Sequence, residues 1–442
     1  MTEREKLSKF TILVIIMAAS IAWMHDGYSL VMISTLSTEL QAFFIGISTT
    51  QIGLVISLQF VFTVPGAILF GEIGDRFGRK KALIISIAWD AVFSSMTALV
   101  PANMFWLFAV LRLLSGLGVS WGISFSLISE YFRPKRRGAI GGLVHSTFVF
   151  GYVGALLVSL LIGPYGWQWC FLTALFPFPF LVLFWFFLPE SVVWSEYDRI
   201  TKESGVKQKL RIREIFSKKW IKLTVVLTVL FWFAETGYHA LVDHAPEFFQ
   251  YLFATAGATN PKASSLIFML VIMLIAAGGL FFFGFLSDYI GRKKAFGIDN
   301  VIGIIGGILF VIFTLWIFNQ TIILISAIVI TLGFGLHGIF GVWSSELYDT
   351  ELRASANSII FSIARGLSFG ALFVGLIADS LFLSPDVEVR LTLYPLHSLQ
   401  ALGIGMTLSL IAMIGVFISL LFVPEPVDKQ ITALSKSDII KP

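Results

Sequence analysis

The sequence predicts an all-α polytopic membrane protein of twelve transmembrane helices arranged as two six-helix repeats. Three observations predict it. First, 57% of the 442 residues are apolar, 15% are aromatic and only 13% are charged, where a soluble chain carries roughly a quarter charged residues. Second, apolar stretches of about 20 residues, the length that crosses a bilayer, recur along the whole chain. Third, a charged, glycine-rich phrase is written twice: GEIGDRFGRKKA at 71–82 and GFLSDYIGRKKA at 284–295.

The spans follow in order at roughly 11–36, 50–73, 81–100, 104–130, 139–162, 167–188, 220–249, 264–286, 294–317, 320–346, 354–380 and 398–423. The first follows Arg4, Lys6 and Lys9. No small-residue cleavage site precedes His25-Asp26, so it reads as a retained span, not a signal peptide. The second ends at the first charged phrase, the fourth at SEYFRPKRRG and the sixth at LPES. The longest polar interruption, 189–219, separates an N-terminal half (1–188) from a C-terminal half with a short tail (220–442). The eighth span ends at the second phrase, the tenth at SELYDTELRA and the twelfth at VPEP. Three echoes in register mean a duplicated half, and parallel repeats place a binding site between them at mid-membrane.

Lysine and arginine set the orientation. With a cytoplasmic N-terminus, 27 of the 31 basic residues fall in cytoplasmic tails and loops. The external loops hold only Lys262 and Arg390, and Arg112 and Arg365 lie within spans. The positive-inside rule therefore predicts both termini in the cytoplasm of a multi-pass plasma-membrane protein. The basic balance is thus a matter of topology and calls for no nucleic acid. The single cysteine, Cys170, excludes an intramolecular disulfide or a cysteine metal cluster, and its simplest reading is a packed thiol. No cofactor or metal is expected, and the chain is expected to be monomeric. There is no GxxxxGK[ST] for ATP, and no G-x-S-x-G or HExxH for a hydrolase, so the chain is not read as an enzyme.

The duplicated phrase carries a resemblance. Gly71, Asp75, Arg76, Gly78, Arg79 and Lys80 resemble the signature loop after the second span of the major facilitator superfamily. The copy keeps Gly284, Asp288, Gly291, Arg292 and Lys293, with Tyr289 in the position of Arg76. Glycines permit the tight reversal, and the basic residues suit the headgroup layer. The resemblance covers essentially the whole chain. It implies the major facilitator fold, alternating access, and a cytoplasmic latch between the halves built from these loops with Glu130, Arg137, Glu346 and Arg353.

Ionisable groups within spans are costly in a bilayer and so are candidates for function. Asp26 in span 1 and Arg112 in span 4 lie at compatible depths, about 15 and 12 Å from the outer end. A carboxylate that alternates between an arginine and a proton is a simple coupling device. The other reading is a static ion pair. The DGYS segment containing Asp26 and Tyr28 is similar to the D-G-[FY]-D pattern of aromatic-acid/proton symporters, with Ser29 replacing the second aspartate. LRLLSGLGVS resembles the span-4 pattern of sugar and organic-acid porters, and Gly116, Gly118 and Gly122 read as close helix packing. In span 7, Glu235 and His239 share a face at i, i+4 and are expected at a substrate or proton site, with Tyr238 and Trp232 adding aromatic surface. Asp243, His244 and Glu247 are expected to be solvated at the outer rim, without a zinc site.

Arg365 in span 11 has no acidic partner in its own helix. Its planar fork suits a carboxylate; the alternatives are pairing with Asp26, Glu235 or Asp90, or snorkelling at the lipid edge. Asp90, His145, Asp299 and His337 read as helix-packing polar groups. GWQW (166–169) and PESVVW (189–194) resemble the organic-acid and sugar branches, and span 5 lacks the glycine-proline pattern of drug/proton antiporters. The expected function is proton-coupled symport of a small organic acid, the expected partners being that solute, protons and the lipid bilayer. The alternatives are a sugar or polyol symporter and a non-transporting solute sensor.

Overall fold

The structure is a computed structural model. It describes residues 8–425 except 45, 119, 132–133, 192–193, 197, 200–202, 204–210 and 349–351. The side chains of Asp75, Glu130, Arg137 and Arg353 also lie outside the described residues.

Among the described residues, twelve helices are long and apolar enough to cross a membrane. They are α1 Lys9–Thr35, α2 Thr49–Gly74, α3 Arg79–Leu99, α4 Phe105–Ser124, α5 Leu143–Leu161, α6 Trp167–Phe187, α7 Ile221–Thr255, α8 Pro261–Ile290, α9 Arg292–Leu315, α10 Gln320–Gly341, α11 Ile359–Leu381 and α12 Pro395–Leu420. Two six-helix halves result, α1–α6 and α7–α12. Large apolar side chains such as Phe186, Phe281 and Phe422 point outward, as a lipid-facing surface requires. Gly116 and Gly118 sit where a Cβ would strike the backbone of Gln59 and Asp90, so they are close-packing positions, as expected.

Several spans are broken. α4 is interrupted after Leu117, α7 after Val242, α10 after Leu332 and α11 after Gly366. Bilayers tolerate such breaks only where protein or an internal cavity satisfies the freed backbone groups. Here side chains do so. Asp26 Oδ2 accepts from Ser120 N (3.2 Å) and Ser120 Oγ (3.0 Å) in the break of α4. Asp299 Oδ2 accepts from Leu336 N (2.7 Å) in the break of α10. A carboxylate also suits the positive end of the half-helix that begins there. In α11 the indole of Trp232 donates to Leu367 O (2.8 Å).

The duplicated loops repeat one structural device. Gly78 and Gly291 take φ of 101° and 93°, the left-handed region that glycine enters freely, between α2 and α3 and between α8 and α9. The LPES/VPEP echo caps the helices that follow. Glu190 accepts from the backbone N of Arg79 (2.7 Å) and Lys80 (3.2 Å). Glu425 accepts from the backbone N of Arg292 (2.7 Å) and Lys293 (3.0 Å).

Candidate functional site: a cavity between the halves

A cavity lies between the halves, lined from α1 and α5 on one side and α7, α8, α10 and α11 on the other. Its walls are mostly aromatic and aliphatic: Trp23, Phe148, Leu280, Phe334 and Phe361. Its ionisable groups besides Tyr238 are Glu235, Arg365 and the imidazoles His145 and His337. Two of the broken helices, α10 and α11, deliver His337 and Arg365 to it.

Arg365 is 3% exposed. Its guanidinium carbon lies 4.7 Å from the Phe60 ring centroid, 5.1 Å from Phe148, 5.6 Å from Phe361 and 5.8 Å from Trp23. These faces stabilise a cation but neutralise nothing. Its ionic partner is Glu235, whose Oε2 stands 3.9 Å from Nε, and Nε and Nη1 have no hydrogen-bond partner. Glu235 in turn meets His239 Nε2 at 3.4 Å and His337 Nε2 at 3.3 Å, and His239 Nδ1 lies 2.9 Å from Asp243 Oδ2. Of the alternatives for Arg365, the structure gives a loose pairing with Glu235 and no lipid-edge position.

A second buried cluster occupies the N-terminal half. His25 Nδ1 lies 3.0 Å from Asp90 Oδ2, and its Nε2 donates to Ala174 O (2.9 Å). Ser29 (2.8 Å) and Ser115 (2.5 Å) both donate to Asp90 Oδ1. Arg112 donates to Ser94 Oγ (2.7 Å), Ser29 O (2.5 Å) and Gln59 Oε1 (3.2 Å).

Several sequence expectations change here. Asp26 and Arg112 form no ion pair in the structure: Asp26 is turned to the break of α4, and Arg112 is held by neutral oxygens. Tyr28 does not line the cavity; its hydroxyl bonds Cys170 O (3.3 Å) and Thr173, because its face of α1 packs on α6. Trp232 is likewise absent from the lining and holds the break of α11. Asp243, His244 and Glu247 are buried, not solvated: His244 Nε2 donates to Ala371 O (2.9 Å), and Glu247 accepts from Tyr251 (3.1 Å). His145 and His337, read from the sequence as helix-packing polar groups, line the cavity, as does Trp23, which the sequence reading did not single out. The signal of the two histidines was position alone, each lying in a span without a charged neighbour in its own helix turn, whereas Trp23 stands three residues before Asp26.

The two ends of the bundle differ. At the end with the duplicated loops, the described ties run within a half. Arg292 bonds both carboxylate oxygens of Glu346 (3.1 and 2.9 Å) and Asp288 (2.5 Å); Arg76 pairs with Glu72 on its own helix. The remaining members of the expected latch, Asp75, Glu130, Arg137 and Arg353, fall on side chains outside the described residues, and Gly71 and Gly284 sit within α2 and α8. At the opposite end the polar ties cross between halves. Lys262 reaches Glu39 (3.0 Å) and Thr35 O (2.6 Å), Arg390 donates to Gln41 (2.8 Å), and Asp379 accepts from Thr50 N (2.7 Å). Lys262 and Arg390 are the two basic residues expected in external loops.

Two six-helix halves around a charged inner cavity, closed by cross-half ties at one end, define a membrane transporter of small solutes. A family model for the Major Facilitator Superfamily matches residues 12–373, and the chain belongs to that family. It is 25% identical over 385 residues to the cis,cis-muconate transport protein of Acinetobacter baylyi, covering 85% of this chain and 90% of that one. It is 26% identical over 367 residues to a candidate niacin/nicotinamide transporter of Bacillus subtilis (81% and 87% covered). The fold is similar to the proton:xylose symporter XylE bound to 6-bromo-6-deoxy-D-glucose, with a TM-score of 0.70, 19% identity and 94% and 96% coverage.

Proposed function

We propose that this chain is a proton-coupled symporter of small organic acids, set in the plasma membrane with its basic loops and both termini toward the cytoplasm. One observation carries the reading: a buried guanidinium with two nitrogens unbonded, at the wall of an aromatic-lined cavity, and only a loose carboxylate partner. A desolvated guanidinium offers a carboxylate two parallel charge-assisted hydrogen bonds, and the aromatic walls accept its apolar body. One relative is named for cis,cis-muconate, a dicarboxylate, and another for niacin and nicotinamide, a carboxylic acid and its amide. A sugar would need many neutral hydrogen-bonding groups, whereas Thr331 and Tyr238 are the uncharged hydroxyls in this lining.

The test is a thermal-shift screen of purified protein against carboxylates and neutral sugars, since a ligand stabilises by RT ln(1 + [L]/Kd). The reading expects carboxylates to raise Tm and their accumulation in proteoliposomes to follow an imposed pH gradient. Stabilisation by sugars alone would replace it with the sugar reading. Saturable binding without flux would mark a sensor.

A further inference from the structure

A second buried guanidinium, outside the cavity, has the surroundings of the first. Arg390 sits on the short helix Val387–Thr392 between α11 and α12 and is 1% exposed. Its guanidinium carbon lies 4.0 Å from the Phe382 ring centroid, and Glu247 Oε1 stands 3.9 Å from its Nη2, too far for a hydrogen bond. Arg365 likewise has aromatic faces and a carboxylate at 3.9 Å. The two carboxylates, Glu235 and Glu247, stand on the same helix, α7, about 18 Å apart along its length.

The bonds that hold Arg390 come from the other half. Nη2 donates to Gln41 Oε1 (2.8 Å), on the short helix Ser37–Phe43, and Nη1 to Thr49 Oγ1 (3.5 Å), at the start of α2. Nε has no hydrogen-bond partner, and neither have Glu247 Oε2 and Gln41 Nε2. A tie that only closed this end would need no cation here. Both acceptors are neutral, and a neutral donor would serve them without the cost of burying a charge. The Lys262–Glu39 tie, by contrast, sets opposite charges across the interface. When the halves part at this end, Gln41 and Thr49 leave with α1–α6, while Phe382 and Glu247 stay beside Arg390.

We infer that Arg390 is a second binding site for the substrate carboxylate, free when this end is open and shut by Gln41 when it closes. This site rests on the carboxylate reading and on the orientation proposed above, which makes this end the outer mouth. With the mouth open, the fork of Arg390 has lost its two neutral acceptors, and Phe382 shields one of its faces from water. A carboxylate then replaces Gln41 Oε1 and Thr49 Oγ1 with two charge-assisted hydrogen bonds. Arg365 presents the same fork further in. Closure brings Gln41 back to Arg390 and displaces the carboxylate, so the tie and the ligand compete for one guanidinium.

The experiment is initial uptake of radiolabelled nicotinate, benzoate and cis,cis-muconate from outside into right-side-out vesicles carrying the full-length protein, read as kcat/KM. Arg390→Gln keeps a hydrogen-bond donor for the tie but loses the charge and the fork. It should lower kcat/KM for the transported acids roughly tenfold or more. Gln41→Ala loosens the same tie and leaves Arg390 free, so it should raise kcat/KM. A residue that served only as a tie would give the two variants effects of the same sign. Changes of the same sign, or an unchanged kcat/KM in Arg390→Gln, overturn the inference and leave the carboxylate reading standing. If the wild type neither binds nor takes up any of the three acids, the carboxylate reading itself fails and this site falls with it. Should Arg390→Gln not fold, Arg390→Lys decides, because it keeps the charge and loses the fork: it should lower kcat/KM roughly tenfold, and an unchanged value overturns the inference.

Discussion

The two buried polar clusters use the same residue types to opposite ends. In the N-terminal half, His25, Asp90 and Arg112 are bound up by Ser29, Ser94, Ser115, Gln59 and the Ala174 carbonyl. None of His25, Asp90 and Arg112 lines the cavity. In the C-terminal half, Glu235, His337 and Arg365 line it, with contacts of 3.3 to 3.9 Å and unbonded nitrogens. The first cluster is the more fully bonded, although His25 Nδ1, Arg112 Nε and Gln59 Nε2 also lack hydrogen-bond partners, and it lies away from the cavity. The second borders the cavity, where a bound anion would lower the cost of its unbonded nitrogens. The difference lies in the neighbours, not in the residues.

The largest effect that would sharpen this contrast is on stability. Arg112→Met should destabilise by about 3–5 kcal/mol, because it strands buried oxygens built around a cation. Denaturation of the purified variant should show a lower Tm, while the fraction that folds keeps its carboxylate affinity. A variant as stable as wild type would mean that Arg112 is not structural. Arg365→Lys should show the converse: near-native Tm but carboxylate affinity weaker by about 1.5–3 kcal/mol, roughly ten- to hundredfold, through loss of the bidentate fork. Loss of fold in Arg365→Lys with unchanged affinity would break the comparison. The smallest effect is at the end with the cross-half ties. Lys262 and Glu39 are partly exposed (side chains 21% and 32%), so Lys262→Gln should shift the balance toward opening there by no more than about 1 kcal/mol. Distances between spin labels placed across that end should show a larger open population. An unchanged distribution would count against Lys262 as a tie.

Apolar length made the spans legible. The stretch expected at 50–73 is Thr49–Gly74, and that at 11–36 is Lys9–Thr35. Repetition made the loop device legible, down to the faint LPES/VPEP echo that became the Glu190 and Glu425 caps. At the site, charge within spans pointed to Glu235 and Arg365, which both line the cavity, because an ionised group in a bilayer is conspicuous in the sequence. Aromatic facing was not legible. The sequence points to Tyr28 and Trp232, while Trp23 and Phe361 line the cavity; which side of a helix meets a cavity depends on partners far along the chain: Thr173 for Tyr28, Leu367 for Trp232. Nor was saturation legible. Asp90 and His337 look alike in sequence, and only Ser29 and Ser115, from other helices, satisfy the first and not the second.

The central claim, that Arg365 receives a substrate carboxylate, is tested most directly by equilibrium binding of nicotinate and its neutral isostere nicotinamide to wild type and Arg365→Lys. The account predicts that wild type prefers nicotinate, that Arg365→Lys loses roughly ten- to hundredfold of nicotinate affinity, and that nicotinamide binds both proteins equally weakly. Equal loss for both ligands, or a nicotinate affinity untouched by Arg365→Lys, would contradict it.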